Sequence, residues 1–165
     1  MKKLFFDMDN TLAIFSQNRE HEKNVVLEKM YEKGFFAGLE PMPNARFTIE
    51  KLQERGNRIY IISACIKSPY VEQEKRLWLR EYLPTIKEED IFFLPVGDSK
   101  TELIKSLFSD EKIDKRFVLI DDYEKNLVPF QLAGGTTIKK VRDFTQYNTD
   151  FDYCVANLLD LLNIL

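Results

Sequence analysis

The sequence predicts an α/β fold in which helices cover both faces of a parallel β-sheet. Four short apolar runs are rich in β-forming residues and do not alternate with polar residues, which is typical of strands buried on both faces. Helical patterns separate these runs along the chain, as expected when parallel strands are joined by crossover helices. The length of 165 residues fits one domain with a small insertion. We therefore expect a three-layer, Rossmann-like architecture.

The predicted strands are too short to be helices. In chain order they are the runs Leu4–Phe6, Ile59–Ile62, Ile91–Leu94 and Phe117–Ile120. A weaker candidate, Thr136–Lys140, follows a pair of glycines. Its position after the fourth run suggests a fifth strand at the side of the sheet.

The predicted helices lie between these strands and have recognisable ends. Ala45–Arg55 is followed by Gly56, and glycine is common just after the last turn of a helix. The next helix begins near Pro69, a residue suited to a first turn, and runs to Tyr82 before Pro84 stops it. The remaining predicted helices are Thr101–Phe108, Lys125–Ala133 and the C-terminal stretch "VANLLDLLNIL", whose apolar residues recur at helical spacing.

One stretch does not fit the alternation of strands and helices. Residues 13–42 follow the first strand and precede the helix that should return from it. They contain a polar helical pattern with a thin apolar stripe at Val25 and Val26, followed by a pair of phenylalanines. We expect a small helical cap inserted after the first strand, above a catalytic core of residues 1–12 and 43–165. An additional packing helix is the structural alternative.

Composition and charge disfavour several classes of protein. The net charge is −3 and no run of five or six basic residues occurs, which argues against binding of polymeric nucleic acid. Only three apolar residues follow the initial Met-Lys-Lys, too few for the apolar region of a signal peptide. The C-terminal apolar stretch is too short to span a bilayer. We expect a cytoplasmic protein without membrane contact, either a monomer or a homodimer.

Polar side chains occur where the predicted strands end. Asp7 follows the first strand, Ser63 the second, Lys100 comes shortly after the third, and Asp121–Asp122 follows the fourth. The C-terminal ends of parallel strands form the edge at which open α/β sheets bind ligands. Four such placements, which carry carboxylates, a hydroxyl and an ammonium, predict a functional site at this edge.

The aspartates need a compensating charge if they meet. Two carboxylates about 4 Å apart repel each other by roughly 4 kcal/mol at an effective dielectric constant of about 20, against a total stability of roughly 5–15 kcal/mol. The chain has one histidine and two widely separated cysteines, so it offers no cluster of soft ligands. An all-oxygen site suits Mg²⁺, which binds carboxylates, water and a substrate phosphate. Lys100 and Ser63 then supply a positive charge and a hydrogen bond for that phosphate.

Asp7 and Asp9 can divide the work of phosphoryl transfer. A carboxylate held against Mg²⁺ stays ionised, so Asp7 can attack phosphorus and form an aspartyl phosphate. Asp9 lies two residues further on, points the same way from extended chain, and can protonate the leaving oxygen and later accept a proton from water. Thr11 can hold the loop or orient Asp9. The pattern therefore predicts a phosphomonoesterase.

These residues resemble the motifs of the haloacid dehalogenase superfamily of phosphatases. The stretch "DMDNT" fits the DxDxT pattern of that superfamily, and Ser63, Lys100 and Asp121–Asp122 resemble its second, third and fourth motifs in the right order. The stretches "GFFAGLEPMPNA", "IISACIKSPYVEQEKRLWLREYL" and "VLIDDYEKNL" further resemble the 5′(3′)-deoxyribonucleotidases of the cytosolic type C family. The similarity runs thinly over most of the chain.

The resemblance implies a Mg²⁺-dependent enzyme that dephosphorylates nucleoside monophosphates beneath a small helical cap, with a preference for deoxyribonucleotides with uracil or thymine bases. It implies that Asp7 is the nucleophile and Asp9 the general acid/base. The implied metal ligands are Asp7, Asp9 through its carbonyl, Asp121 and Asp122. The remaining candidates are Ser63, Lys100 and Thr11 for phosphate, and Phe15, Phe35, Phe36 and Lys67 for the rest of the substrate.

Three other functions remain open from the sequence. The same chemistry on another small phosphomonoester, such as a sugar phosphate, is the nearest alternative. A signalling receiver module also collects Asp, Ser or Thr, and Lys at strand ends, but it places its acidic pair on the first strand and its phosphorylated Asp on the third. In this chain Asp7 and Asp9 follow the first strand and the pair Asp121–Asp122 follows the fourth, so the order differs from that of a receiver module. A non-catalytic regulator that kept the fold is the third possibility, although every residue type that the chemistry requires is present.

Overall fold

The centre of the molecule is a six-stranded sheet in which all neighbouring strands run parallel. The structure is a computed structural model that describes residues 1–15, 28–147 and 149–165. The strands are β1 (Lys3–Phe6), β2 (Arg58–Cys65), β3 (Ile91–Pro95), β4 (Phe117–Asp121), β5 (Thr136–Lys140) and β6 (Tyr153–Val155), in the spatial order β3-β2-β1-β4-β5-β6. The predicted parallel α/β fold is confirmed.

Helices cover both faces of this sheet. Within the described ranges they are α1 (Ala45–Glu54), α2 (Val71–Tyr82), α3 (Lys100–Leu107), α4 (Glu124–Leu132) and α5 (Leu161–Ile164). Buried side chains of α1, α2 and α5 pack in one apolar cluster, and those of α3 and α4 pack in another on the opposite face. None of these helices is long and apolar enough to cross a membrane.

The first strand lies in the middle of the sheet and is buried on both faces. Leu4 and Phe6 belong to the cluster on the α1–α2 face, whereas Phe5 belongs to the α3–α4 face. The ring of Phe5 stacks with those of Tyr60 and Phe117, at centroid distances of 5.0 and 6.0 Å. Each such side chain contributes about 1.5–3 kcal/mol when fully buried. This packing fixes β1 and therefore the point at which the next residues leave the sheet.

Two predictions about local structure are wrong. Ser63 does not follow β2 but lies inside it, two residues before the strand ends. The C-terminal stretch is not one amphipathic helix, because its first residue, Val155, ends a sixth strand that pairs with β5. Only a 3₁₀ turn and the short helix α5 follow. A three-residue strand is too short to show a period of two, and its one buried residue, Val155, happens to fall at helical spacing with the leucines that follow.

The predicted cap at residues 13–42 is described only in part. The helical pattern around residue 25 lies outside the described residues. Residues 30–38 form turns and bends. At the base of this stretch the Met42 amide donates to the Leu12 carbonyl at 2.7 Å. The first and last residues of the predicted cap therefore lie next to each other at the core. The extent of the cap stays a prediction.

Candidate active site

The loop after β1 carries the first two candidate carboxylates. The Asp7 amide donates to the Ile120 carbonyl at 2.9 Å, which continues the pairing of β1 with β4. The backbone then turns at Asn10, whose φ of 59° lies in the left-handed region, a conformation that asparagine adopts more readily than most residues. The Asn10 side-chain oxygen accepts a hydrogen bond from the Phe15 amide at 3.2 Å. The loop therefore starts directly at the C-terminal edge of the central strands.

Lys100 joins carboxylates from two of these strands. It is the first residue of α3, and only 2% of its surface is exposed. Its ammonium donates to Asp121 Oδ2 at 2.7 Å and to Asp7 Oδ1. Burial alone would lower the pKa of Lys100, but Asp7 and Asp121 outweigh burial and raise that pKa above its ordinary value. The lysine therefore stays charged and holds the ends of β1 and β4 together.

Three carboxylates at this edge lie close enough to share one cation. Oxygen atoms of Asp7, Asp121 and Asp122, which we call the acidic cluster, lie within 4.8 Å of one another. Burial, together with the charge of Asp7, raises the pKa of Asp121 to about 6 and that of Asp122 to about 8. The protein thus gathers more negative charge than Lys100 can balance. All of the donors are carboxylate oxygens, and they fit a hard divalent cation such as Mg²⁺.

Asp121 is held in place by its neighbours. Its Oδ1 accepts a hydrogen bond from the Tyr123 amide at 2.8 Å, and its Oδ2 accepts one from the Asn126 side chain at 3.0 Å. Both donors lie at the start of α4. Outer hydrogen bonds of this kind fix the orientation of a ligating carboxylate, so α4 helps to position the acidic cluster.

A second buried lysine, Lys75, holds Asp9 and Ser63. None of its surface is exposed. Its ammonium donates to Asp9 Oδ2 at 2.7 Å, to Ser63 Oγ at 2.8 Å and to the Ala64 carbonyl at 2.9 Å. Burial raises the pKa of Asp9 and Lys75 opposes this rise. The other carboxylate oxygen of Asp9 is buried and has no hydrogen-bond partner within the described part of the chain, so this polar atom is left without the partner that a buried carboxylate normally has.

The three candidate phenylalanines form one cluster. Phe36 is buried, and its ring lies 5.9 Å from that of Phe15 and 5.0 Å from that of Phe35, measured between centroids. The ammonium of Lys75 lies 4.8 Å from the Phe36 ring. The neighbouring residue Glu74 accepts hydrogen bonds from the Phe36 amide at 3.0 Å and from an adjacent glycine amide. The cluster therefore packs against α2, next to the residues that hold Asp9.

The remaining candidates are Lys67 and Thr11. Lys67 lines a groove between β2, the start of α2 and β3, together with Arg76 and Phe93. Thr11 is fully buried, and its hydroxyl has no hydrogen-bond partner among the residues described. Their predicted contacts with substrate stay predictions, as do those of Ser63 and the three phenylalanines.

Lys75 was not among the site residues predicted from the sequence. The signal was present in the spacing, because Lys75 falls on the same face of α2 as Val71, Trp78 and Leu79, all of which are buried. Lysine is almost never fully buried unless it is paired. A lysine on the apolar face of a helix close to a predicted active site is therefore a candidate for a functional partner.

The chain matches known nucleotidases in sequence. The profile of the family described as 5′ nucleotidase, deoxy (Pyrimidine), cytosolic type C protein matches residues 7–151. A protein of Staphylococcus epidermidis provisionally named 5′(3′)-deoxyribonucleotidase is 35% identical over 74 residues, which cover 45% of this chain and 40% of that protein. A provisionally named nucleotidase of Oceanobacillus iheyensis is 30% identical over 112 residues, covering 68% of this chain and 58% of that protein. The chain thus spans 40% to 58% of the length of these relatives.

Solved structures share the fold over nearly the whole chain. One of them is a provisionally named haloacid dehalogenase-type hydrolase, YfnB of Bacillus subtilis, solved with magnesium. It superposes with a TM-score of 0.69 at 16% identity, and the match covers 99% of this chain and 98% of the YfnB chain. A haloacid dehalogenase-family hydrolase of Deinococcus radiodurans, solved with phosphate and sodium, gives a TM-score of 0.67 at 14% identity, with coverages of 97% and 93%. At these identities the likeness establishes the fold.

Proposed function

This chain belongs to the 5′ nucleotidase, deoxy (pyrimidine), cytosolic type C family, and on that premise we propose that it is a Mg²⁺-dependent phosphomonoesterase acting on nucleoside monophosphates, as a 5′(3′)-nucleotidase. The observation that carries the proposal is the meeting of Asp7 and Asp121 on the ammonium of Lys100, with Asp122 close by. The names of the matched relatives support the nucleotide as substrate.

In the proposed first step, Asp7 attacks the phosphorus atom of the substrate and forms an aspartyl phosphate. The bond between phosphorus and the ester oxygen breaks, and that oxygen takes a proton from the Asp9 carboxyl group. Burial favours the protonated form of Asp9, as a general acid requires. Lys75 fixes the orientation of Asp9 by donating to one of its two carboxylate oxygens, Oδ2.

In the second step, the same carboxylate works in the opposite direction. Asp9, now ionised, accepts a proton from a water molecule that attacks the phosphorus of the aspartyl phosphate. Inorganic phosphate leaves and the carboxylate of Asp7 is regenerated. The ammonium of Lys75 stabilises the ionised form of Asp9 between the two steps. One residue therefore serves as acid and then as base.

The acidic cluster and the main-chain carbonyl of Asp9 are the groups that we expect to hold the metal. When bound, Mg²⁺ would neutralise the carboxylates and withdraw charge from the phosphoryl oxygens. Lys100 and Ser63 are the proposed partners of the phosphoryl group, and the phenylalanine cluster beside α2 is the proposed wall for the nucleoside. A cap over the site, the cytoplasmic location and a monomeric or dimeric state remain parts of this proposal.

The test is a phosphate-release screen with and without Mg²⁺. It compares 5′- and 3′-nucleoside monophosphates of both sugar types with sugar phosphates and p-nitrophenyl phosphate. We expect turnover that requires Mg²⁺ and favours nucleotides. Equal rates on nucleotides and sugar phosphates would contradict the nucleotidase assignment. A single phosphorylation without further release of phosphate would contradict catalysis and favour a receiver-like switch.

A further inference from the structure

A cavity of about 780 Å³ lies beside the acidic cluster, on the side of β5 and β6. Binding sites for small molecules typically have volumes of about 300–1,000 Å³. Asp122 forms part of its wall, and Ile14, Met42 and Leu158 contribute apolar surface. Phe144 lies at this cavity with 75% of its surface exposed. The cavity is thus large enough for a nucleoside and borders the predicted metal ligands.

Lys140, the last residue of β5, places a buried positive charge on this wall. Only 4% of its surface is exposed. Its ammonium donates to the Val141 carbonyl at 2.6 Å, and no carboxylate in the described ranges forms an ion pair with it. Lysine is rarely buried to this extent without an ionic partner, because the lost hydration is costly. The charge of Asp122, on the same wall, opposes the effect of burial on the pKa of Lys140, but Asp122 is a predicted metal ligand. With Asp122 engaged by a cation, an anion from outside the chain can pair with Lys140.

The other charges around the cavity are already balanced. Lys139 forms an ion pair with Glu124, and Arg142 forms one with Asp143 at 3.1 Å. The acidic cluster would be balanced by Lys100 and one divalent cation. Lys140 is therefore the buried ammonium on this wall that forms no ion pair among the residues described, and a cation bound to the acidic cluster would engage the nearby carboxylate of Asp122.

We propose that this cavity is a subsite for a second anionic group of the substrate and that Lys140 binds that group. The proposal rests on the proposed function and deepens it: the substrate class is the nucleoside bisphosphates. One phosphate reacts at Asp7 and the second occupies the Lys140 subsite. A nucleoside monophosphate uses the reaction site but leaves the Lys140 subsite without its anion.

The experiment compares thymidine 5′-monophosphate with thymidine 3′,5′-bisphosphate. The ratio kcat/KM is measured for both by phosphate release with Mg²⁺, and their affinities are measured by calorimetry on the Asp7→Asn protein with Mg²⁺. Each measurement is repeated with Lys140→Met. Methionine is one atom shorter than lysine and fills most of the same space without the charge. Lys115→Met, which removes an exposed charge near the start of β4, is the matched control.

We expect both the affinity and kcat/KM to be at least about tenfold higher for the bisphosphate than for the monophosphate. Lys140→Met should abolish this advantage and change the affinity and kcat/KM for the monophosphate by less than about twofold. Lys115→Met should leave the advantage intact. An equal loss for both nucleotides, or no preference in the parent protein, would overturn the subsite. If the protein hydrolyses the monophosphate but does not prefer the bisphosphate, the subsite is overturned and the proposed function stands. Tighter binding of the bisphosphate without hydrolysis of either nucleotide would support the subsite and contradict the nucleotidase assignment.

Discussion

The ammonium of Lys75 lies 2.7 Å from Asp9 Oδ2, and no part of this lysine is exposed to solvent. The same ammonium also contacts Ser63 Oγ at 2.8 Å. A single side chain on α2 therefore positions the proposed acid/base and a proposed phosphate-binding hydroxyl. This arrangement makes the acid function of Asp9 testable through a residue that does not itself exchange the proton.

Replacing Lys75 by methionine should impair reactions that need an acid more than those that do not. General acid catalysis is worth about 10²–10⁴-fold, and p-nitrophenolate leaves without protonation, whereas an alkoxide does not. We expect kcat/KM for a nucleoside monophosphate to fall about 100-fold, and that for p-nitrophenyl phosphate to fall less than about tenfold. Arg80→Met, on an exposed position of the same helix, is the control, since Arg80 pairs with Glu88 on the surface. Equal losses on both substrates would mean that Lys75 is only structural.

Asp7→Asn should abolish turnover and leave the fold intact. Asparagine has the same shape but is not a nucleophile of comparable strength, and Lys100 keeps its ion pair with Asp121. The measurement is steady-state phosphate release, alongside circular dichroism and thermal unfolding. Asp98→Asn, at an exposed position in the loop before α3, should retain full activity. Appreciable turnover by Asp7→Asn would refute the assigned nucleophile.

Lys100→Met should destabilise the metal-free protein. Removing one partner of a buried ion pair leaves uncompensated charge and costs about 3–5 kcal/mol in the free energy of unfolding. Mg²⁺ should restore part of the loss, because a bound cation supplies the missing positive charge. Urea denaturation with and without Mg²⁺ measures both effects. Lys105→Met, on an exposed position of the same helix, should change stability by less than about 0.5 kcal/mol. Unchanged stability of Lys100→Met would contradict the bridging role.

The stability of the metal-free protein should fall as the pH rises from about 4 toward 8. Burial raises the pKa of Asp122 to about 8 and that of Asp121 to about 6, so the folded chain retains protons that the unfolded chain has already lost. The free energy of unfolding decreases with pH wherever the native state binds more protons. Mg²⁺ should weaken this trend, because it favours the ionised carboxylates.

Chemical denaturation at several pH values tests this expectation. Asp122→Asn should remove most of the decline between pH 6 and 8 and about half of the decline between pH 4 and 6, where Asp121 also retains its proton in the folded state. A metal-free protein that becomes more stable over this range would contradict the raised pKa values of the acidic cluster.

The sequence was sufficient for the features that depend on local pattern. The buried run before Asp7 and the run before Asp121 each predicted a strand, and the rule for parallel sheets placed both aspartates at one edge. Prediction from the sequence failed where the structure depends on tertiary contacts. Strand β6 exists because three residues pair with β5, and the partners of Lys75 lie 11 to 66 residues away, beyond the reach of periodicity.

The central claim is that carboxylates from the ends of β1 and β4 meet around one divalent ion. The most direct measurement is the anomalous difference map of crystals soaked in Mn²⁺, a substitute for Mg²⁺ that scatters anomalously. We predict one peak at coordinating distance, about 2.0–2.3 Å, from carboxylate oxygens of Asp7 and of Asp121 or Asp122, and its loss in crystals of Asp122→Asn. A map with no peak among these oxygens at millimolar Mn²⁺ would contradict the account.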